Sequence, residues 1–272
     1  MVPASSPAPP DVLAAFQAAM ARAGSVRLDL RWYPSVTSTM DVAEEAVQTG
    51  APEGLVMVAD EQTHGRGRRG RAWSSPPGAG LYLTFVLRPP VEGEGGMMLS
   101  LITLATGVAA REAIGRASGF HPELKWPNDL MVGRRKLAGI LAEGLGLGRV
   151  DQAVLVGLGV NILSAAHPGD IAARATSLED ELGTPVERSR VLEELLVAIP
   201  QAYDDLRRGN ADGILRAWRH AAPSAKGAAV RWQAPDGLRQ GMTAGVDATG
   251  ALLVTTERGT ERIVGGELDW TW

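Results

Sequence analysis

The segment GLVMVADEQTHGRGRRGRAW, residues 54–73, joins two textures with different physical uses. Its first seven residues form a short, largely apolar run that fits a buried strand. That strand delivers the chain into Gly65–Arg71, where four arginines and three glycines occupy seven positions. Glycines let a backbone turn its N–H groups inward, and guanidinium forks match phosphate and carboxylate oxygens. The loop therefore suits a small anion, and a loop that closes over its ligand also excludes water. Trp73 supplies an apolar lid or stacking face at the far end, and Gln62 offers an amide just before it. Taken alone, such a run is more often an RGG-like or solvated basic segment than a catalytic loop. It is no Walker A element, because GxxxxGK[ST] is absent. Gly65, Gly67 and Gly70 satisfy GxGxxG spacing, but no strand-then-helix context follows, which disfavours a dinucleotide fold.

Bulk composition narrows the options. The 272-residue chain carries a net charge of −4, with a pI near 5.7, so an anion site must be local and a nucleic-acid-gripping surface is not expected. Hydrophobic residues, at 45%, are enough for a sizeable core. The absence of cysteine excludes disulfides, thiolate metal sites and a cysteine nucleophile. His64, His121, His167 and His220 lack the close spacing of zinc ligands. The start MVPASSPAPP has neither the basic end nor the apolar run of a secretory signal, and no apolar window reaches membrane-span length. A soluble cytoplasmic protein is the expectation.

Periodicity predicts an α+β body with a mixed sheet. Residues 1–24 read as a Pro/Ala/Ser tail and a short helix ending at Gly24. Residues 25–33 alternate as a strand, and 37–50 form a helix capped by Ser38 or Thr39. Residues 81–88 form a strand stopped by Pro89 and Pro90, and 95–119 a buried helix. Residues 123–145 give a strand, a loop and a hairpin turning at Gly133, and 150–162 a core strand. Helices follow near 176–182, 186–208 and 211–221. From Lys226 the texture changes to short strand-like runs separated by PDG, ATG and RGT turns, which marks a small all-β unit. The expected organisation is thus 1–24, a body over 25–222, and a β unit over 223–272.

Three further motifs carry chemistry. KWPNDL, residues 125–130, ends a strand with Lys125 and turns at Pro127, placing Asn128 and Asp129 on the turn. Cations gathered in one site imply a polyanionic guest, although a surface turn with Trp126 packed inward reads equally well in isolation. RRKLAGIL adds Lys136, either a second cation in that cleft or a solvated charge. VGLGVNI ends an apolar strand at Asn161, whose amide can pair with an adenine edge or simply cap a chain end.

GRGRRGRxW, KWPNDL, KLAGIL and GxGxN, in that order from Ser38 to Gly265, resemble the biotin protein ligases. The resemblance implies a two-step reaction: biotin and ATP give biotinoyl-5′-AMP and pyrophosphate, and the biotinoyl group passes to one lysine of a biotin carboxyl carrier domain. It implies an SH3-like C-terminal barrel, Mg²⁺ accompanying ATP, and membership of the monofunctional group that has no DNA-binding module. It assigns Lys125, Arg68 and Arg71 to catalysis. Ser38, Thr39, Gln62, Gly65, Arg66, Lys125 and Gly139 fall to biotin. Arg66, Arg68, Arg71, Trp73, Lys125, Asn128, Lys136 and Asn161 fall to the nucleotide. Asp129 is the weak candidate for a metal ligand. Two departures stand out: Met40 follows Ser38-Thr39 where a polar residue is common, and RATSL before the helix at 176 lacks an adenine-stacking tryptophan, a role left to Trp73. Rival readings are a lipoate or octanoate ligase of the same fold, a non-catalytic anion- or nucleic-acid-binding protein, and a biotin-binding module without catalysis.

Overall fold

Every residue of AVLVGLGVN, the strand β7 (Ala153–Asn161), is buried, as expected of a strand covered on both faces. The computed structural model describes residues 4–22, 26–91, 95–234 and 236–271. In it β7 sits inside a seven-stranded sheet with β1 (Asp29–Val36), β2 (Leu55–Gln62), β3 (Gly80–Leu87), β4 (Glu123–Lys125), β5 (Asp129–Val132) and β6 (Arg135–Leu145). The order is β1-β2-β3-β7-β6-β5-β4. β1 and β2 run parallel and the other neighbours antiparallel, so the sheet is mixed.

Side chains alternate across a strand, and β7 divides accordingly. Val154, Val156, Leu158 and Val160 join a large core with residues of α1 (Pro10–Arg22), α3 (Gly95–Ser118), α5 (Arg188–Arg207) and α6 (Ala211–Ala221). Leu155 joins a smaller core on the opposite face with Met40, Val42, Ala43 and Ala46 of α2 (Thr39–Gln48). Met98–Ser118 is long and apolar enough to cross a membrane, but most of it is buried. It packs against α5, α6 and β6, which accounts for its apolar character as core.

β1 begins later than alternation suggests and continues through Pro34 to Val36. The reason is its place at the sheet edge, where a residue lacking an N–H is tolerated. The expected helix stop at Gly24 lies outside the described residues. The hairpin at Gly133 forms as read, with that glycine at φ 55°. The short α4 (Leu178–Leu182) starts in a reciprocal cap between Ser177 and Asp180.

The change of texture at Lys226 is the start of β8 (Lys226–Ala234). With β9 (Gly237–Val246), β10 (Leu252–Thr256), β11 (Gly259–Ile263) and β12 (Asp269–Thr271) it forms an antiparallel sheet ordered β11-β10-β9-β8-β12. This unit docks on the body: its Val230, Val246, Leu252 and Val254 belong to the same core as Trp218 of α6. Trp126 is packed inward and its Nε1 donates to the buried Gly250 carbonyl at 3.0 Å, tying the KWPNDL turn to the β9–β10 turn. Trp126→Phe strands that carbonyl, and urea unfolding is expected to show a loss of about 1–3 kcal/mol.

Candidate active site

A trench floored by backbone lies on the α2 side of the sheet. Gly157, Gly159 and Asn161 alternate on that face of β7, and Gly139 of β6 stands opposite Gly159. A Cβ at Gly157 would lie 2.8 Å from Met40 Sδ, one at Gly159 2.4 Å from Trp73 Nε1, and one at Gly139 2.9 Å from Lys136 Nζ. The glycines thus provide depth that no side chain would leave. The register continues from Gly159 through Gly139 and Asp129 to Lys125, so sheet pairing itself lays out the trench and its cationic end in one row. The enclosing cleft measures about 610 Å³.

The end beside α2 is polar and uncharged. Gln62 Oε1 accepts from Thr39 N at 2.9 Å and Thr39 Oγ1 at 3.1 Å, while its Nε2 donates to Ser75 Oγ at 2.8 Å. Thr84 Oγ1 donates to Thr39 Oγ1 at 2.8 Å, and Ser38 caps α2 by accepting from Met40 N. These groups are held before any ligand arrives. Met40, buried at 3% exposure, replaces a polar neighbour with an apolar wall.

The other end gathers cations. Lys125 Nζ sits 5.3 Å from the Trp270 ring. Burial pulls the Lys125 pKa below its ordinary value, with Lys136 adding to the shift and Asp129 opposing it. Burial likewise lowers Arg68, against the pull of Asp129 and helped by Arg69 and Arg71. Arg68 donates to Asn128 Oδ1 at 3.2 Å, and Asn128 Nδ2 donates to Ile140 O at 2.7 Å. Asp129 pairs with Lys136, whose Nζ also lies 5.3 Å from the Trp73 ring. Asn161 is buried and its Nδ2 donates to Thr176 O at 2.9 Å.

The glycine-arginine loop is a closed hairpin. Trp73 N donates to Gly65 O at 2.8 Å and Gly67 N to Arg71 O at 2.7 Å, around a 3₁₀ turn at Arg68–Gly70. Arg69 adopts φ 57° and Gly70 φ 71° at its tip. Three of the four arginines are held by carboxylates: Arg66 by Asp41 at 3.0 Å and Glu143 at 2.7 Å, and Arg69 and Arg71 by Glu267. Neutralising partners within the protein are what allow so dense a positive run to close.

Of the site residues expected from sequence, all but Gly65 line this one cleft. Gly65 serves beneath it, where a Cβ would stand 2.4 Å from the Trp73 carbonyl oxygen. Trp73 lies across Gly159 and Gly139, over the trench. Sequence reasoning gave no role to Gly157 and Gly159 of its GxGxN motif, and missed Arg134, His167, Arg174, Glu267 and Trp270, all in the lining. Alternate glycines in an otherwise apolar strand signal the first two. Glu267 and Trp270 arrive only because the C-terminal sheet docks at the cleft. Among the described residues no group of three or more His, Asp or Glu is placed to hold a metal ion. Asp129, the weak candidate for a metal ligand, is paired with Lys136.

Residues 32–161, from β1 to the end of the trench, match the model of the Biotin/lipoate A/B protein ligase family. The chain is 31% identical to the bifunctional ligase/repressor BirA of Bacillus spizizenii over 86% of its own length and 71% of that protein's. It is 34% identical to the biotin–[acetyl-CoA-carboxylase] ligase of Paracoccus denitrificans over 78% of its length and 88% of that enzyme's. A biotin protein ligase from Aquifex aeolicus, solved in complex with biotin and ATP, superposes with a TM-score of 0.76 at 29% identity, covering 89% of this chain and 98% of that one. On these likenesses, which extend over most of its length, the chain belongs to the biotin/lipoate A/B protein ligase family, among its biotin protein ligases.

Proposed function

We propose that this protein is an ATP-dependent biotin–[biotin carboxyl carrier protein] ligase. The observation that carries the reading is the single cleft that runs from the Ser38–Thr39–Gln62 network, along a glycine floor, to Lys125 and Arg68. That order suits a ligand with a polar ring, an apolar chain and an anionic end. Biotin has this pattern. Its ureido group meets the fixed amide and hydroxyls, and its chain lies in the trench under Trp73 with Met40 alongside. Its carboxylate reaches Lys125. We assign residues 25–222 to the chemistry and 223–272 to an appended β unit that closes the cleft through Glu267 and Trp270.

In the first step a biotin carboxylate oxygen attacks the α-phosphorus of ATP. The bond from that phosphorus to the bridging oxygen breaks and pyrophosphate leaves. Two anions must approach and charge grows on the phosphoryl oxygens, so positioned cations provide the catalysis, and no protein nucleophile is required. Lys125 serves the carboxylate and α-phosphate. Arg68, Arg71 and Lys136 serve the phosphates, Asn128 orients Arg68, and Asn161 faces the base. Mg²⁺ would enter with the nucleotide and offset phosphate charge. In the second step the uncharged amine of a carrier lysine attacks the acyl carbon, the bond to the phosphate oxygen breaks, AMP leaves and an amide remains once the nitrogen sheds a proton. The chemistry requires a compartment supplied with ATP, such as the cytoplasm, and a carrier domain of a biotin-dependent carboxylase as partner.

Incubation with biotin, ATP, Mg²⁺ and a carrier domain, followed by a streptavidin blot, is expected to show a labelled carrier. Lipoate in place of biotin is expected to give no acylated carrier. Acylation by lipoate alone would move the assignment to the other branch of the family. The loop has a separate role in retaining the mixed anhydride. Arg71→Ala removes its tie to Glu267 and one phosphate contact, a charged interaction whose loss raises escape of biotinoyl-AMP roughly tenfold. Escaped intermediate labels lysines of added albumin, whereas labelling confined to the carrier would exclude this role.

A further inference from the structure

We propose that Glu143 is a positioning residue of this site: with Asp41 it pins the Arg66 side chain, and that pin keeps the loop closed over the acyl-adenylate. The inference rests on the ligase reading above and adds the groups that retain its intermediate. Arg66 lies in the paired stem of the hairpin, opposite Ala72 and between the Gly65–Trp73 and Gly67–Arg71 bonds. Its guanidinium is turned to carboxylates. One terminal nitrogen donates to both Glu143 oxygens at 2.7 Å, and the other donates to Asp41 Oδ1 at 3.0 Å, with Glu44 Oε2 3.9 Å away. Arg66 lines the cleft, whereas Glu143 and Asp41 do not. The two carboxylates therefore act through the arginine and not on a ligand.

The partners come from two elements that also build the site. Glu143 follows Gly139 and Leu141 on one face of β6, and it stands opposite Leu155 of β7 as Gly139 stands opposite Gly159. Asp41 lies in the first turn of α2, beside Thr39, which holds Gln62. Arg66 thus ties the loop stem both to a strand of the trench floor and to the helix alongside it. This tie is more sheltered than the one at the loop tip. Arg66, Asp41 and Glu143 are 33%, 44% and 31% exposed, whereas Arg69 and Arg71 are 60% and 64% exposed where they meet Glu267. Sheltered pairs are screened less by water and salt. Burial works against the Arg66 charge, but Glu143 and Asp41 outweigh it and hold the guanidinium above its ordinary pKa. The loop needs such an anchor, because its glycines impose little backbone preference and its arginines repel one another. Arg68, which bonds Asn128 at the cationic end, is set by the stem that Arg66 fixes.

Two readouts test the pin. The first is the rate at which biotinoyl-AMP escapes from enzyme that has formed it from biotin and Mg·ATP without a carrier. Glu143→Ala is expected to raise that rate about tenfold, as for loss of a charged hydrogen bond at a partly exposed site, with first-turnover pyrophosphate release kept within about twofold. Arg66→Ala is expected to raise escape at least as much, and Glu143→Ala to add nothing in that background, because it acts through the arginine. Effects of the two changes that simply multiply would overturn the proposal. The second readout is trypsin cleavage at the loop arginines of the ligand-free protein, which Glu143→Ala is expected to speed about tenfold by opening the stem. Glu143→Gln keeps the size and removes the charge, and it shows the same effects in smaller degree if the alanine variant fails to fold. Escape and cleavage both unchanged in variants that keep their melting temperature would overturn the proposal and leave the ligase reading intact. Failure of the unmodified protein to form biotinoyl-AMP would overturn the ligase reading and, with it, this retention role.

Discussion

Lys125→Ala is expected to slow biotin-dependent pyrophosphate release about 100- to 1,000-fold, the usual consequence of removing one preorganised donor from developing phosphoryl charge. Its position makes the effect large. Lys125 ends β4 directly opposite Asp129, in the register row that continues to Gly139 and Gly159. The ammonium is thus set by sheet pairing at the cationic end of the trench. Burial weakens its hold on the proton, and an incoming carboxylate and phosphate reverse that by supplying the missing negative charge. The rate is therefore expected to fall in kcat more than in KM, because charge on the phosphoryl oxygens grows only as the reaction proceeds. Lys125→Arg is expected to recover little, since a guanidinium fork does not reproduce a compact point charge. A quenched-flow trace of pyrophosphate release unaltered by the alanine change would remove Lys125 from the reaction.

The second large effect is at the trench floor. Gly159→Val is expected to weaken biotin binding roughly tenfold to 100-fold, as overfilling a packed site costs about 1–3 kcal/mol. A Cβ at this position meets the Trp73 indole at 2.4 Å, and the methyls of valine extend further. In the empty enzyme the indole can swing aside, so the strand retains its pairing with β3 and β6. Biotin, which needs both the trench and its lid, cannot be accommodated so easily. Calorimetric titration with biotin reads the loss, and a melting curve separates it from unfolding. Affinity preserved in this variant would place the acyl chain elsewhere.

Much of this architecture is written locally. β7 could be read from AVLVGLGVN alone, α2 from the Ser38 cap, and the C-terminal sheet from turns at ATG and RGT. The ordered motifs carried the recognition of the family, and nearly every residue they named does line one cleft. What escaped had nonlocal causes. Pro34 reads as a strand stop until β1 is known to lie at an edge. Glu267 and Trp270 are unremarkable in sequence and reach the cleft only because Trp126, Leu104 and Gly250 bring the two sheets together. The loop offered positive charge and flexible backbone, but its carboxylate partners Asp41, Glu143 and Glu267 come from three separate parts of the chain. Trp73 closes the loop hairpin through its N–H to Gly65, and its indole lies over the glycines of the trench, a placement that no local pattern announces.

The most direct measurement is to mix the protein with biotin and Mg·ATP in the absence of any carrier, remove unbound small molecules rapidly, denature, and examine the released ligand by mass spectrometry. A cleft that joins acyl trench to phosphate-binding cations under a closed loop should yield biotinoyl-AMP in stoichiometric amount. Recovery of unreacted biotin and ATP, or of neither, would contradict the account.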